Sequence, residues 1–405
     1  MSEHNQGSFN SGCTLLFGPL MSLDDKLQQR ISERKSRNLW RTQRVIEPEE
    51  EPLVFCSNDY LGVATRQLLP KSSSPRAFGA AASRLISGTT PTHARLEKDL
   101  AEWMGTESAR FFSTGYQANV GLISSLVQRN DVIFSDALNH ASIIDGARLS
   151  KATIEVYSHA DLDSLEEKLR QYHDVEGSKW ILSDAIFSMD GDVAPIDEIV
   201  RLAERYEAHI YIDEAHAIGV LGDEGRGLVA SKGQLDNVDV IVGTCGKSMG
   251  AAGAFVVGSE TLCDYVYNAA RSFVFSTAPP PIVCEALCAS VELMRSGELQ
   301  AELWENIHTF ASRLREEGWW KGEPLSPIFP IVLGSEQSAV TVSEKLLARG
   351  FFVHPIRPPT VPEGTSRLRI TIGAHHTTQQ LADLADALVA ACEESNVVPK
   401  VWSHG

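Results

Sequence analysis

The chain has 405 residues, 43% hydrophobic and 22% charged, with a formal net charge of -17 at pH 7. That is enough chain for a large core and about two or three domains; the acidic balance argues against nucleic acid and anionic membranes as partners, and no apolar run approaches the ~20 residues of a membrane span. Seven scattered cysteines, with no Cys-x-x-Cys pair, point to a reducing cytoplasm rather than a disulfide framework.

Residues 1–22 lack the basic leader of a signal peptide and are expected to form a flexible extension. Leu23, Leu27, Ile31 and Trp40 suit an amphipathic helix over 23–44. Leu53 to Ser57 reads as a strand entering the turn Asn58-Asp59-Tyr60-Leu61-Gly62, so 23–56 forms an N-terminal helix and strand segment. Thr92 is placed to cap a helix with the apolar face Leu96, Leu100, Trp103 and Met104, closed by Gly105. Seven candidate strands follow: Ala109–Ser113, Val132–Ser135, Ile154–Tyr157, Trp180–Asp184, His209–Asp213, Val238–Thr244 and Ala254–Val257. Helical patterns such as Leu162–Tyr172 and Ile196–Glu207 lie between most of them. This alternation predicts an α/β fold with a mostly parallel sheet covered on both faces, in a large domain over 57–282.

After Pro279-Pro280-Pro281 the pattern changes. A long helical stretch, Val283 to Leu314, leads to shorter strands at Ile328–Leu333, Phe351–Ile356 and Leu368–Ile372. Cys284 and Cys288 share a helix face and are expected to pack in the core. The last helix begins at Thr377, with Gln380 completing a capping box. Residues 283–405 therefore read as a smaller α+β domain.

The chemistry gathers where predicted strands end. Thr244-Cys245-Gly246-Lys247 places one lysine among small residues, and Asp213-Glu214-Ala215-His216 closes another strand. A lysine and an Asp-x-x-His at strand ends suit pyridoxal phosphate, which needs an amine for its aldehyde and a carboxylate for its ring nitrogen. Ligands of such sheets bind at the carboxyl ends of the strands. Ser113 to Asn119 follows a strand and opens a helix, where backbone amides bind phosphate; Gly115 permits close approach and Tyr116 can lie beside the ring. Ser276 and Thr277 offer further hydroxyls. His216 is a partner for the ring hydroxyl, Ser188 and Thr244 are supporting groups, and His140 is a candidate to stack on the ring. Arg357, stiffened by Pro358 and Pro359, suits a substrate carboxylate. Arg367 and Arg369 share one strand face, where surface charge is the simpler reading for at least one. No metal site is expected.

Together these segments resemble the α-oxoamine synthases, a pyridoxal phosphate family of the aspartate-aminotransferase fold (fold type I). The resemblance runs from about Leu23 to the last helix. It rests on Ser57–Gly62, Ser83–Gly88, Phe187–Asp192, Asp213–His216, Thr244–Lys247 and, most discriminating, Ile356-Arg357-Pro358-Pro359-Thr360-Val361-Pro362. It implies a decarboxylating condensation of an amino acid with an acyl thioester. The Arg357 loop resembles the biotin-pathway branch, which implies L-alanine with pimeloyl-coenzyme A or a pimeloyl carrier protein. By position, Lys247 would hold the cofactor and act as base, Asp213 would pair with the ring nitrogen, and Gly115 and Tyr116 would flank it. Ser188, His216 and Thr244 would bind the cofactor, and His140 would stack on it near the developing oxyanion. Arg41, Asn58, Arg357 and Thr360 would contact substrate. A homodimer with its site at the interface is implied, so Ser276 and Thr277 would reach the partner's cofactor phosphate. The alternatives are a glycine-using or long-acyl relative, an aminotransferase or lyase of the same fold, or a non-catalytic binding protein. Three departures from the family pattern are Ala80-Ala81-Ala82 after Gly79, Asp184 in place of Glu, and Cys245 before Gly246.

Overall fold

The computed structural model describes residues 21–37, 39–40, 52–70 and 78–403. The expected extension lies almost wholly outside the described residues, and so does Arg41. The chain divides into two units, within Met1–Pro48 and Glu49–Gly405. The first supplies helix α1 (Leu23–Ser36), started by a capping box between Ser22 and Asp25. It ends earlier than the predicted 23–44, and none of its residues is buried.

The second unit is organised by a seven-stranded sheet. Its strands are β1 (Ser108–Phe112), β2 (Val132–Asp136), β3 (Thr153–Tyr157), β4 (Lys179–Asp184), β5 (Ala208–Asp213), β6 (Val240–Thr244) and β7 (Ala254–Gly258). They lie in the order β1-β7-β6-β5-β4-β2-β3. Only β7 runs against its two neighbours. All residues of β2, β4 and β6 are buried. Side chains alternate faces along a strand, and the sheet accordingly feeds two separate cores. One core takes Phe112, Ile133, Leu182 and Val242 against Leu122 of α3 (Gly115–Leu126) and Ile143 of α4 (Ala141–Ser150). The other takes Phe111, Phe134, Ile181 and Ile212 with Leu96 and Trp103. The register sets Asp184 beside Asp213, and Asp213 beside Val242, at one edge of the sheet. The predicted fold class and all seven strands are present.

A second, antiparallel sheet holds β8 (Ile328–Gly334), β9 (Pro355–Ile356) and β10 (Ser366–Thr371), with β10 central. Two local expectations are corrected. Helix α2 (Pro91–Met104) is capped by Thr90 rather than Thr92, because Pro91 takes its first turn and His93 completes the capping box. The stretch Val283–Leu314 is two helices, Pro281–Ser296 and Glu298–Glu316, separated by Gly297 at φ +69°. Cys284 and Cys288 are buried as expected, and burial pushes each thiol up to about 12.

Arg84 holds the Ser83–Gly88 segment in place. Its guanidinium makes two bonds to Glu97, at 2.9 and 3.0 Å, with side chains only 3% and 13% exposed. Glu97 also accepts from the Phe111 amide at 3.0 Å. Removing one partner strands a buried charge, so Glu97→Ala is expected to cost about 3–5 kcal/mol, measured by denaturant unfolding.

Candidate active site

A cavity of about 380 Å³ opens at the carboxyl edge of the large sheet. Asp184 ends β4, Asp213 ends β5, Thr244 ends β6, and Lys247 follows on the loop after β6; all four line it. His140 caps α4, and His216 follows Asp213 by three residues.

Asp213 is 3% exposed. Its Oδ2 accepts from Asn119 Nδ2 at 2.6 Å and its Oδ1 from the Ala215 amide at 2.9 Å. Asn119, on α3, accepts in turn from the Tyr211 hydroxyl at 2.6 Å. The protein's own groups thus orient the carboxylate from two elements. Lys247 Nζ donates to Thr244 Oγ1 at 3.3 Å. Burial holds the Lys247 amine below the usual lysine range, with Asp213 and Asp184 pulling upward and Arg369 adding to the depression. That increases its neutral, nucleophilic fraction.

His216 is buried, with Nδ1 2.5 Å from the hydroxyl of fully buried Tyr60. Burial, aided by Lys247, holds its pKa well below the ordinary histidine range. Arg369 stands behind this pair: Nη2 donates to Tyr60 at 3.3 Å, Nη1 to Asn58 Oδ1 at 3.0 Å, and Nε to the Ser188 carbonyl. Surface charge therefore fails for both arginines. Arg367 and Arg369 are each 5% exposed, and Arg367 pairs with Asp190. Several acceptors spread over each guanidinium make its burial tolerable.

His140 lines the cavity and is exposed, and its amide donates to Asp184 Oδ2 at 2.6 Å. Burial, with Asp213 beside it, raises the Asp184 carboxyl well above its usual range. Tyr116 meets the His140 ring edge-on, 6.4 Å between centroids, and its hydroxyl donates to Asp145.

The residues fit pyridoxal phosphate on three observations. One cavity carries both an amine of lowered pKa and an anchored carboxylate. The amide-bearing start of twelve-residue α3 lines the same cavity and suits a phosphate. A Cβ on Gly115 would come within 2.6 Å of Thr244 Cγ2, so the approach there requires glycine.

The cavity wall unites Lys247, Asp213, His216, His140, Thr244, Gly115, Tyr116 and Asn58. Other sequence candidates lie elsewhere. Ser188 reaches the site through its carbonyl to Arg369. Ser276 accepts from Gln117 at 2.8 Å, outside the lining, and neighbouring Thr277 bridges to Ser83. Thr360 lines a second cavity of about 310 Å³ with His159, Arg367 and Trp402. Half-buried Arg357 follows β9 and precedes a cis Pro358-Pro359 bond. Sequence reasoning gave no role to Tyr60, Asn119, Ser142 or Arg369. Tyr60 lies within Ser57–Gly62 and Asn119 within Ser113–Asn119, and that placement is the signal the sequence carries for them.

Fold, lysine and carboxylate together define an enzyme of the pyridoxal phosphate class. Residues 50–388 match the aminotransferase class I and II family. The chain is 42% identical to the 8-amino-7-oxononanoate synthase of Trichlorobacter lovleyi over 92% of its own length and 99% of that protein. Among solved structures it is similar to a serine palmitoyltransferase variant from S. paucimobilis with PLP and myriocin bound. There the TM-score is 0.84 and the identity 29%, over 93% of this chain and 100% of that one. The 8-amino-7-oxononanoate synthase of Francisella tularensis gives a TM-score of 0.72 at 26% identity, over 85% of this chain and 99% of that one. The chain belongs to the aminotransferase class I and II family, in the group formed by the 8-amino-7-oxononanoate synthases.

Proposed function

We propose that this enzyme joins L-alanine to a pimeloyl thioester, releasing carbon dioxide, the thiol and 8-amino-7-oxononanoate. The observation that carries this reading is a cavity with Lys247 and Asp213 in a chain 42% identical, nearly end to end, to a synthase of that name. Bound there, pyridoxal phosphate supplies an aldehyde for the substrate amine and a protonated ring that accepts electron density from the neighbouring carbon.

The protein's own groups do the rest. Asp213 keeps the ring nitrogen protonated, because an adjacent carboxylate favours the charged form. Lys247 holds the cofactor at rest and then takes the Cα proton of L-alanine, a role its lowered pKa suits. The start of α3, with Gly115, holds the phosphate; Tyr116, Ser188, His216 and Thr244 support the cofactor. His140 would lie against the bound cofactor and would donate toward the thioester carbonyl as negative charge develops there. Asn58 lies beside the substrate, and Arg41, Arg357 and Thr360 bind it.

In this reading residues 57–282 form the cofactor domain and 283–405 the smaller domain. The enzyme works as a homodimer. Phe78, Ile86 and Phe275 are 84%, 81% and 72% exposed. They sit on segments joined by the Ser83–Thr277 bridge, and a second copy would cover them and bring Ser276 and Thr277 to its own cofactor phosphate. Cys56, Cys245, Cys263, Cys284, Cys288 and Cys392 are unpaired, and no helix among the described residues is long and apolar enough to cross a membrane; both fit a cytoplasmic enzyme.

Purified protein loaded with pyridoxal phosphate should convert L-alanine and pimeloyl-coenzyme A to 8-amino-7-oxononanoate, read by mass spectrometry. Turnover with glycine and short acyl thioesters alone would move it to a relative's reaction. Arg357→Ala is expected to raise the KM for L-alanine roughly 10- to 150-fold, the equivalent of losing about 1.5–3 kcal/mol from a bond to a charged group. An unchanged KM would reassign the residue.

A further inference from the structure

Two buried side chains, Asn119 and Ser142, connect the Asp213 carboxylate to the His140 ring. A carboxylate only accepts, so Asn119 must turn Nδ2 toward Asp213, at 2.6 Å. Its Oδ1 is then free to accept from the Tyr211 hydroxyl, also at 2.6 Å. The same Nδ2 donates to Ser142 Oγ at 2.8 Å. The Ser142 hydroxyl lies 2.7 Å from His140 Nδ1 and can donate its proton there while its oxygen receives the Asn119 bond. The Ser142 backbone amide points at the same Nδ1 from 3.3 Å, and an amide N–H only donates. Two donors converge on one nitrogen. A neutral His140 therefore carries its proton on Nε2, on the far side of the ring from Ser142.

We propose that Asn119 and Ser142 are positioning residues that fix His140 as an Nε2–H donor for the cavity and tie that orientation to the Asp213 carboxylate. The inference rests on the roles given above to His140 and Asp213. A growing oxyanion needs a donor already in place, and the other tautomer would present it with a lone pair. One amide thus orients two groups of the site. Both of its N–H donors are committed, so a change at Asn119 disturbs the carboxylate and the imidazole together.

The test uses pyridoxal phosphate-loaded enzyme with 15N-labelled histidine. The chain has 12 histidines, and the resonances missing from a His140→Gln sample identify the ring. The expected shifts are those of an unprotonated Nδ1 and a protonated Nε2. A protonated Nδ1 in the wild-type enzyme overturns the proposal without reference to any substrate. In Ser142→Ala, confirmed by its spectrum to hold cofactor, the Nδ1–H form should grow. There kcat should fall roughly 10-fold or more while the KM for L-alanine stays within about twofold, as expected when an orienting partner is lost. A Ser142→Ala enzyme with unchanged ring shifts and unchanged kcat also overturns it. Failure of wild-type enzyme to turn over pimeloyl-coenzyme A would instead count against the proposed reaction, leaving the tautomer result to stand by itself.

Discussion

Lys247→Ala should lower turnover by at least about 10⁴-fold while leaving the protein folded. In the proposed mechanism the substitution removes both the group that holds the cofactor at rest and the base for the Cα proton; general base catalysis alone contributes about 10²–10⁴-fold. The fold should survive, because among the described residues the side-chain hydrogen bond of Lys247 is to Thr244 at 3.3 Å, on a strand that is buried throughout. Product formation, read beside circular dichroism and unfolding, checks both halves. A folded variant with turnover near the wild type would remove Lys247 as the base.

The second large effect is expected from Asp213→Asn. The amide keeps the shape of the carboxylate, and its oxygen can still accept from the Ala215 amide or Asn119. What disappears is the negative charge that, in the proposed mechanism, keeps the ring nitrogen protonated. Loss of one preorganised electrostatic group costs roughly 10²–10³ in kcat. The spectrum of bound cofactor should also become more sensitive to pH, since the ring nitrogen then titrates nearer the working range. A kcat within about threefold of wild type would mean that Asp213 does not face the ring.

Much of this architecture is legible in the chain alone. Buried parallel strands read as short apolar runs, and those runs end where polar residues begin. Asp213, Thr244 and Lys247 stand at such ends, so their grouping follows once the strands are parallel and in register. The connections that orient these groups are not legible. Asn119 meets Asp213 across 94 residues and Ser142 across 23, on separate helices, and no local periodicity encodes those meetings. Arg369 misleads for a related reason. Alternating charge on a strand looks like a solvent face, yet β10 is the central strand of its sheet, and the guanidinium finds Asn58 and Tyr60 some 310 residues away.

Two misplaced boundaries were within reach of the sequence. Pro91 belongs in a first helical turn, which makes Thr90 the cap. Gly297, flanked by helical runs, is the residue that most readily takes a left-handed conformation, and the chain turns there. The Thr377–Gln380 capping box, whose two partners lie three residues apart, is legible in the sequence. Those whose partner is distant, such as Thr360 in the second cavity, were placed only by fold.

The central claim is that Lys247 and Asp213 grip opposite ends of one cofactor ring. Borohydride reduction of the loaded enzyme, followed by peptide mass spectrometry, tests it most directly. The pyridoxyl mass should appear on the peptide containing Lys247, and should vanish from that position in Lys247→Ala. A label on any other lysine, or enzyme that takes up no cofactor at all, would contradict it.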